Sequence, residues 1–253
     1  MRVFETSHDH SVLPGITMVA RLDGRGFTKW TKGAGLEKPF DQRFHKLMTQ
    51  VTVDLMEHSG LGIVYGYTQS DEISLLLSPG EGSFGRKIRK LNSVLAGCAS
   101  AFGTHWLHTE GWGLEEPVVF DCRISQLITP QDVMDYFQWR MEDSHRNCLN
   151  GYCYWKLRQR GESKGKASRI LEGKGTAFKN EMLFQDFGLN YNEDVPLWQR
   201  RGSGVFWETF TKEGENPMTG EKTVANRKRL KVDLELPRGD EYSTRIYQFL
   251  LGL

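Results

Sequence analysis

Residues 63–77 read IVYGYTQSDEISLLL, two apolar runs separated by a polar turn. Each run is short and is bounded by turn-forming residues, so the pattern predicts two strands, Ile63 to Tyr67 and Ile73 to Leu77, joined as a hairpin. The turn between them contains two adjacent carboxylates, Asp71 and Glu72. The rest of the fold is predicted around this antiparallel pair with an acidic tip.

The segments on either side of the hairpin complete a split βαβ pattern. Thr17 to Leu22 predicts a buried strand that ends at an Asp-Gly-Arg-Gly turn, and Phe40 to His58 predicts an amphipathic helix. After the hairpin, Phe84 to Leu107 predicts a second helix and Pro117 to Ile124 a fourth strand. The order β-α-β-β-α-β is typical of the ferredoxin-like α+β fold, in which both helices cover one face of an antiparallel sheet.

The sequence changes in character after this unit. Pro130 to Arg158 predicts a long helix, followed by a Gly- and Lys-rich linker, short helical pieces within 179–187 and two further strands near the end of the chain. We therefore predict a palm-like catalytic portion at 1–129 and a mixed helical and β portion at 130–253. The second portion is expected to pack on the first, either as its own unit or as part of one continuous domain.

Composition argues against several classes of protein. The four cysteines form no C-x-x-C pair, so neither a zinc ribbon nor a disulfide framework is indicated. The chain has no run of 18 apolar residues and no apolar stretch at its start, so we expect a soluble cytoplasmic protein without a membrane span. Lys and Arg number 33 against 32 Asp and Glu, so the total charge gives no indication of a polyanionic partner.

The distribution of charge is more informative than its total. Residues 156–179 hold eight basic residues against two acidic ones, and a second basic cluster occupies 227–231. Such runs usually form a solvated surface, and contact with RNA is the functional alternative.

The predicted topology brings distant carboxylates to one edge of the sheet. Because a helix crosses between the first two strands, these strands run parallel, and the end of the first meets the hairpin tip. Asp23 follows the first strand, so it is expected to lie beside Asp71 and Glu72. Each acidic turn alone is ordinary turn chemistry. Together they place like charges side by side, and such charges need compensation.

Magnesium is the natural compensation for this cluster. It prefers hard oxygen ligands, commonly takes one or two protein carboxylates, and completes its coordination with water and phosphate oxygens. Gly24 fits this use because a residue without a side chain lets its carbonyl and a phosphate approach closely. The sequence therefore predicts a magnesium site at Asp23, Gly24 and Asp71.

Basic residues open the second predicted helix. Lys87 and Lys90 lie three residues apart on one helical face, next to Arg86 and Arg89. The N-terminal dipole of a helix also favours an anion. We expect these lysines to contact a triphosphate; without the neighbouring carboxylates they would be ordinary surface lysines.

Six short stretches follow one another in an order that is specific as a set: RLDGRGF at 21–27, EKPFD at 37–41, QSDEIS at 69–74, DSHRN at 143–147, FKNEMLF at 178–184 and LNYN at 189–192. They resemble the tRNA-histidine guanylyltransferase family, including its Thg1-like branch. The resemblance implies a polymerase-like palm that works in reverse, in which the 3′-hydroxyl of an incoming nucleotide attacks the activated 5′ end of a tRNA. The implied activation is either adenylylation by ATP or an existing 5′-triphosphate, with GTP and ATP as substrates.

The resemblance also implies roles for individual residues. Asp23 and Asp71 would hold two Mg²⁺ ions, the Gly24 carbonyl would assist, and Glu72 would support the catalytic site. The remaining residues would contact the triphosphate, the incoming nucleotide or the tRNA 5′ end: Arg25, Gly26, Phe27, Lys38, Asp41, Ser70, Lys87, Lys90, His145, Asn147, Lys179 and Asn190. Three of these have structural alternatives, since Asn190 could cap a turn, His145 could be a structural histidine and Lys179 could be solvated charge. The family also implies a homotetramer.

Three departures from the family pattern bear on the branch. Thr28 stands where eukaryotic members carry a histidine, and residues 145–151 read HRNCLNG where the family has HINNLYN. Lys87 stands where an arginine is common, and a lysine binds phosphate without the bidentate fork. These changes favour the Thg1-like branch, whose members repair 5′-truncated tRNAs by templated addition, over strict addition of one guanosine to histidine tRNA.

Two alternative functions are weighed against this one. A palm-fold nucleotide cyclase would share the metal-binding carboxylates, but the G-G-D/E-E-F type of hairpin is absent and the basic C-terminal half would have no role. A non-catalytic RNA-binding module is disfavoured because clustered acids repel RNA unless a metal reverses the local charge.

Overall fold

The structure is a computed structural model that describes residues 1–112, 116–215 and 222–252. Its strands are β1 (Thr17–Arg25), β2 (Ile63–Gln69), β3 (Glu72–Leu77), β4 (Val119–Leu127), β5 (Ser203–Glu215) and β6 (Lys222–Asp233). Its helices are α1 (Arg2–Thr6), α2 (Phe27–Gly33), α3 (Gln42–His58), α4 (Ile88–Thr109), α5 (Pro130–Gln159), α6 (Lys164–Leu171), α7 (Thr176–Phe187), α8 (Tyr191–Asp194), α9 (Leu197–Arg201) and α10 (Asp240–Leu251).

One sheet joins the six strands in the order β4-β1-β3-β2-β5-β6, and every neighbouring pair is antiparallel. Because β1 and β2 both lie antiparallel to β3, they run parallel to each other, as the split βαβ pattern predicts. β5 extends the same sheet by pairing with β2, from Thr68 opposite Ser203 to Tyr65 opposite Phe206. The predicted α+β class with an antiparallel sheet is confirmed. Strands from before and after residue 130 belong to the same sheet.

The two faces of the sheet are covered by different helices. Alternate β1 residues, Met18, Ala20 and Leu22, pack with α3 and α4 in one apolar core, whereas Val19 packs with α5 and α10 in another. Successive side chains of a strand point to opposite faces. Asp23 therefore continues the face of Val19, toward α5. The prediction that the two palm helices share one face is correct, and helices of the C-terminal portion cover the other.

The strand that carries Asp23 is longer than predicted. The Asp-Gly pair was expected to form a turn, but β1 continues to Arg25 because β4 supplies a partner for these residues, with Gly24 opposite Phe120. The hairpin turn is correspondingly shorter, since β2 reaches Gln69 and β3 begins at Glu72. Only Ser70 and Asp71 remain in the turn, and Ser70 takes a positive φ of 50°.

Several helix boundaries also differ from the sequence prediction. The second helix begins at Ile88 and not at Phe84, because Phe84 and Arg86 adopt positive φ values that interrupt a helix. Part of the predicted Gly- and Lys-rich linker forms α6, and the C-terminal α10 was not predicted. Across the described residues, no helix is both long and apolar enough to pass through a membrane.

Candidate active site

Asp23, Gly24 and Asp71 meet where β1 ends against the hairpin tip. The backbone N–H of Gly24 donates a hydrogen bond to the carbonyl of Asp71, 2.9 Å from nitrogen to oxygen. A Cβ atom added at Gly24 would lie 3.0 Å from Cβ of Asp71, which is closer than ordinary contact. Glycine at this position therefore allows the hairpin tip to reach β1. Asp23 lies opposite Glu72 in the β1–β3 ladder, so the predicted gathering of the three carboxylates is present.

Glu72 is buried and bound by two arginines. Its Oε2 atom lies 2.5 Å from Nη2 of Arg21, and Nη1 of Arg140 lies 3.0 Å and 3.1 Å from its two carboxylate oxygens. Burial raises the pKa of Glu72, and the guanidinium groups of Arg140 and Arg21 oppose that rise. The side chain is thus committed to an internal ion pair that fixes β1 and β3 to α5.

Among the described residues, Asp23 and Asp71 have no such arginine ion pair, although the charge of Arg21 acts on Asp71 from a distance. Burial raises the pKa of the Asp71 carboxyl, and the negative charge of Asp23 adds to the rise. Ser70 Oγ donates to Oδ1 of Asp71 at 3.2 Å, whereas no described residue pairs with the carboxylate of Asp23. Because Arg21 and Arg140 are both engaged by Glu72, the two aspartates form a negative site that is open to a cation.

The donor set at this edge fits magnesium. Within the described ranges, no group of three or more His, Cys, Asp or Glu side chains could hold a metal ion by itself. Two carboxylates and the Gly24 carbonyl are hard oxygen donors that would leave coordination positions for water and phosphate. That partial coordination by protein is the usual one for Mg²⁺.

A cleft of about 170 Å³ opens beside Asp71. Four further residues implied by the family resemblance line it together with Asp71: Phe27, Lys38, Asp41 and Ser70. Lys38 Nζ donates to Oγ1 of Thr31 at 3.2 Å and provides positive charge on one side. The cleft is therefore acidic at the Asp71 end, with a cationic side chain on its wall.

Asp41 has mainly a structural role in the cleft wall. It is the N-cap of α3, and its carboxylate accepts from the backbone N–H groups of Arg43 at 2.8 Å and Glu37 at 2.9 Å. Hydrogen bonds from the Arg43 side chain, together with these backbone donors, lower the pKa of Asp41 to about 2. Because four protein donors already occupy its oxygens, Asp41 holds segment 37–41 in place.

Residues after Asp23 shape the turn into α2. Arg25 ends β1 with an exposed side chain, and Gly26 adopts a φ of +77° as the N-cap of α2. Phe27 is buried and packs on Trp30, with ring centroids 5.7 Å apart, and on Phe120 at 5.3 Å.

The structure separates Lys87 and Lys90 from the acidic edge. Lys87 pairs with Ser11 and its Nζ donates to Oδ2 of Asp9 at 2.6 Å. Arg86, just before it, donates to the carbonyl of Ile16 at 2.5 Å, so α4 begins at the start of β1. Asp23 stands six residues beyond Thr17 in β1, a rise of about 20 Å. Within one chain Lys87 and Lys90 therefore lie away from the aspartates, because β3 leads away from the hairpin tip, and their contact with a triphosphate stays a prediction.

His145 and Asn190 lie together, apart from the cleft. The Tyr191 hydroxyl donates to the backbone carbonyl of His145 at 3.2 Å, and their rings are 5.4 Å apart. Asn190 caps α8 by accepting from the N–H of Asn192 at 3.2 Å. Burial, together with the charges of nearby arginines, lowers the pKa of His145, which lines a separate cavity of about 360 Å³.

Two other residues implied by the family resemblance also lie outside the cleft lining. Asn147 is exposed on α5 and donates to Oδ2 of Asp143 at 3.2 Å. Lys179 is half-buried on α7, and its carbonyl accepts from Sγ of Cys153 at 3.6 Å.

Two family models match this chain. One is described as tRNAHis guanylyltransferase and covers residues 1–128; the other is described as Thg1 C terminal domain and covers residues 131–237. The chain belongs to the tRNAHis guanylyltransferase family. A probable tRNA(His) guanylyltransferase of Homo sapiens is 35% identical over 240 residues, covering 91% of this chain and 79% of the human protein. The tRNA(His) guanylyltransferase of Debaryomyces hansenii is 31% identical over 243 residues, covering 92% and 89%.

Solved structures give the same relationship. A bacterial tRNA(His) guanylyltransferase (Thg1)-like protein in complex with ATP matches this family member with a TM-score of 0.79 and 25% identity, covering 99% of this chain and 96% of that one. The crystal structure of the enzyme from Saccharomyces cerevisiae matches with a TM-score of 0.73 and 27% identity, covering 81% and 91%. The resemblance in the sequence is thereby confirmed, and the chain is a nucleotidyltransferase of this family.

Sequence reasoning gave no site role to four residues of this family member's site region. Arg21 stands within RLDGRGF, where a charged residue in an apolar strand, two positions before Asp23, signals a partner on the same face. Arg140 precedes DSHRN by three residues but carries no comparable signal. His45 and Trp198 line the cleft and lie 4.2 Å apart between ring centroids. Their contact joins residues 153 positions apart, which no local pattern reveals.

Proposed function

We propose that this family member adds nucleotides to the 5′ end of tRNA in the 3′–5′ direction, using GTP, ATP and other nucleoside triphosphates with two Mg²⁺ ions. The observation that carries the proposal is the pair Asp23 and Asp71, which have no ion-pair partner among the described residues, beside a cleft with a lysine on its wall. The related bacterial protein whose structures contain ATP or GTP supports nucleotide binding by this fold.

The residues divide the work as follows. Mg²⁺ held by Asp23, Asp71 and the Gly24 carbonyl would supply positive charge to the reacting phosphates. Lys38 and Ser70 orient the triphosphate from the cleft wall, and Glu72 keeps the strand ends aligned through its arginines. The 3′-oxygen of the incoming nucleotide forms a bond to the 5′ phosphorus of the tRNA, loses its proton, and displaces pyrophosphate or AMP.

We further propose that the substrate is a 5′-truncated tRNA repaired by templated addition. The departures at Thr28 and at residues 145–151 support this branch. So does the match along 99% of the chain to a bacterial Thg1-like protein, compared with 81% for the yeast enzyme. Addition of a single guanosine to histidine tRNA is the alternative within the same chemistry.

The basic clusters at 156–179 and 227–231 within the portion 130–253 are proposed to contact the tRNA, and the assembly to be a homotetramer in the cytoplasm. In such an assembly Lys87 and Lys90 can reach a triphosphate only across a subunit interface, because α4 begins at the far end of β1. Light scattering would give the mass; a monomer that extends tRNA would remove these lysines from the reaction.

The test is an extension assay with magnesium, labelled GTP and a tRNA that lacks its first 5′ nucleotide. Longer RNA is expected; a cyclic nucleotide would indicate a cyclase, and a gel shift without product a binding module. Asp23→Ala and Asp71→Ala should lower extension by about 10³-fold or more while leaving tRNA binding nearly intact. Asp135→Ala is the control, because Asp135 is exposed on α5, where its carboxylate accepts from the Gln131 side chain, and it does not line the cleft. Extension retained in either active-site variant would refute the metal assignment.

A further inference from the structure

His45 is held in the cleft by two residues from the far end of the chain. Its Nε2 atom lies 2.8 Å from Oγ of Ser203, and its ring lies 4.2 Å from that of Trp198. Ser203 is fully buried and is fixed in the sheet opposite Thr68. The imidazole is therefore clamped between a strand and an aromatic ring beside the cleft.

The corner that carries both clamping residues is itself rigid. Gly202 joins α9 to β5 with a φ of +73°, and a Cβ there would lie 2.6 Å from the Tyr67 hydroxyl oxygen. Gln199, next to Trp198, accepts from the Tyr152 hydroxyl at 2.5 Å. Trp198 and Ser203 thus flank a corner that packs closely against β2, and this packing favours one orientation of the His45 ring.

The hydrogen bonds leave one ring nitrogen available. Thr49 Oγ1 donates to the His45 carbonyl at 2.8 Å, so the same oxygen can only accept from Nε2, 3.4 Å away. Ser203 Oγ is both a donor and an acceptor. We assign the ring proton to Nε2, the tautomer in which both hydroxyls accept from it, and this leaves Nδ1 as an acceptor. Among the described residues none hydrogen-bonds Nδ1. Burial lowers the pKa of His45 to about 4, so the ring is neutral near pH 7.

A neutral acceptor suits a nucleobase better than a phosphate. Phe40, Phe44, Met48 and Trp198 give the cleft an apolar and aromatic surface for a base, beside the polar side chains of Thr68, Ser144 and Gln199, and Ser70 and Asp71 lie at the hairpin tip. A neutral imidazole offers no charge to a triphosphate. A base bound against His45 would cover Nδ1, and an acceptor left unmatched there is costly, which penalises any base that cannot donate to it.

We propose that His45 is a specificity-determining residue that accepts a hydrogen bond at Nδ1 from the amino group of the purine bound in the cleft. The proposal rests on the proposed function, since it requires the triphosphate to lie at the Asp71 end. The ligand class is an amino-bearing purine nucleoside triphosphate, and Ser203 and Trp198 position the ring.

The test compares equilibrium binding of GTP and inosine triphosphate, which lacks the 2-amino group, with magnesium and without tRNA. The protein is expected to bind GTP about tenfold more tightly, as one buried hydrogen bond provides. His45→Gln keeps an amide near Nε2 for Ser203 but has nothing at Nδ1, so its ratio should fall toward one. His45→Asn places an amide near the Nδ1 position and should retain part of the preference.

His58→Gln is the control, since His58 ends the same helix with an exposed side chain. A ratio near one in the unaltered protein, or an unchanged ratio in His45→Gln, would overturn the proposal. Failure of the proposed function appears differently, as a protein that binds GTP yet never extends tRNA.

Discussion

Charged side chains cluster at both ends of β1, but they are paired in different ways. At the start of the strand, Asp9 pairs with Lys87 and Arg89, and Arg86 donates to three backbone carbonyls. At its end, Asp23 and Asp71 face each other without a neutralising partner among the described residues. A charge that is available to a ligand is therefore recognised by its lack of an ion-pair partner, and the number of charged residues nearby does not reveal it.

Glu72 shows the same contrast within the acidic edge. It lies one residue from Asp71, yet its carboxylate is bound by Arg21 and Arg140. The charge of Glu72 is paired inside the protein, whereas Asp71 has no ion-pair partner among the described residues. Acidic residues adjacent in sequence thus do different work, one holding the sheet to α5 and the other facing the cleft.

The largest effect on stability is expected from neutralising Glu72. Glu72→Gln should lower the free energy of unfolding by about 3 kcal/mol, because it leaves the buried guanidinium of Arg140 without its carboxylate. Urea denaturation measures the loss. Glu208→Gln is the matched control, since Glu208 also binds two cations, Arg229 and Lys231, at an exposed site where ion pairs contribute little. Equal losses in the two variants would contradict a special role for burial.

The fold was predictable where local patterns decide it. The hairpin, α3 and the crossover between β1 and β2 follow from periodicity and turns, and the meeting of Asp23 with Asp71 follows from that topology. The length of β1 was not predictable, because pairing with β4 some hundred residues later keeps Gly24 in a strand. Strand propensity reflects the local sequence of a residue, whereas its hydrogen-bonding partner in the sheet can lie far along the chain.

The candidate site was predicted in part for the same reason. Motif residues near the hairpin line the cleft, whereas Lys87 and Lys90, which the sequence predicts to contact a triphosphate, lie at the start of β1. They lie there because β3 leads away from the hairpin tip. His45 was not noticed, since its partners Ser203 and Trp198 arrive through the β2–β5 pairing.

Removing the uncompensated charge should have the opposite sign from removing the paired one. Asp71→Asn is expected to stabilise the metal-free protein by about 1 kcal/mol, because burial and the charge of Asp23 both disfavour its ionised form. The melting temperature in EDTA measures the gain. Magnesium should raise the melting temperature of the unaltered protein and have a smaller effect on the variant. A variant less stable than the parent in EDTA would show that the aspartate pair is structurally satisfied.

The smallest expected effect belongs to the other end of β1. Asp9→Asn removes the acceptor shared by Lys87 and Arg89, and should lower the melting temperature by less than Glu72→Gln does, since both cations remain accessible to water. The decrease in melting temperature caused by Asp9→Asn should be smaller at high salt, because exposed charges are screened. Scanning calorimetry at low and high ionic strength measures both changes. If Asp9→Asn instead raised the melting temperature, the ion pairs of Asp9 with Lys87 and Arg89 would not stabilise the start of β1.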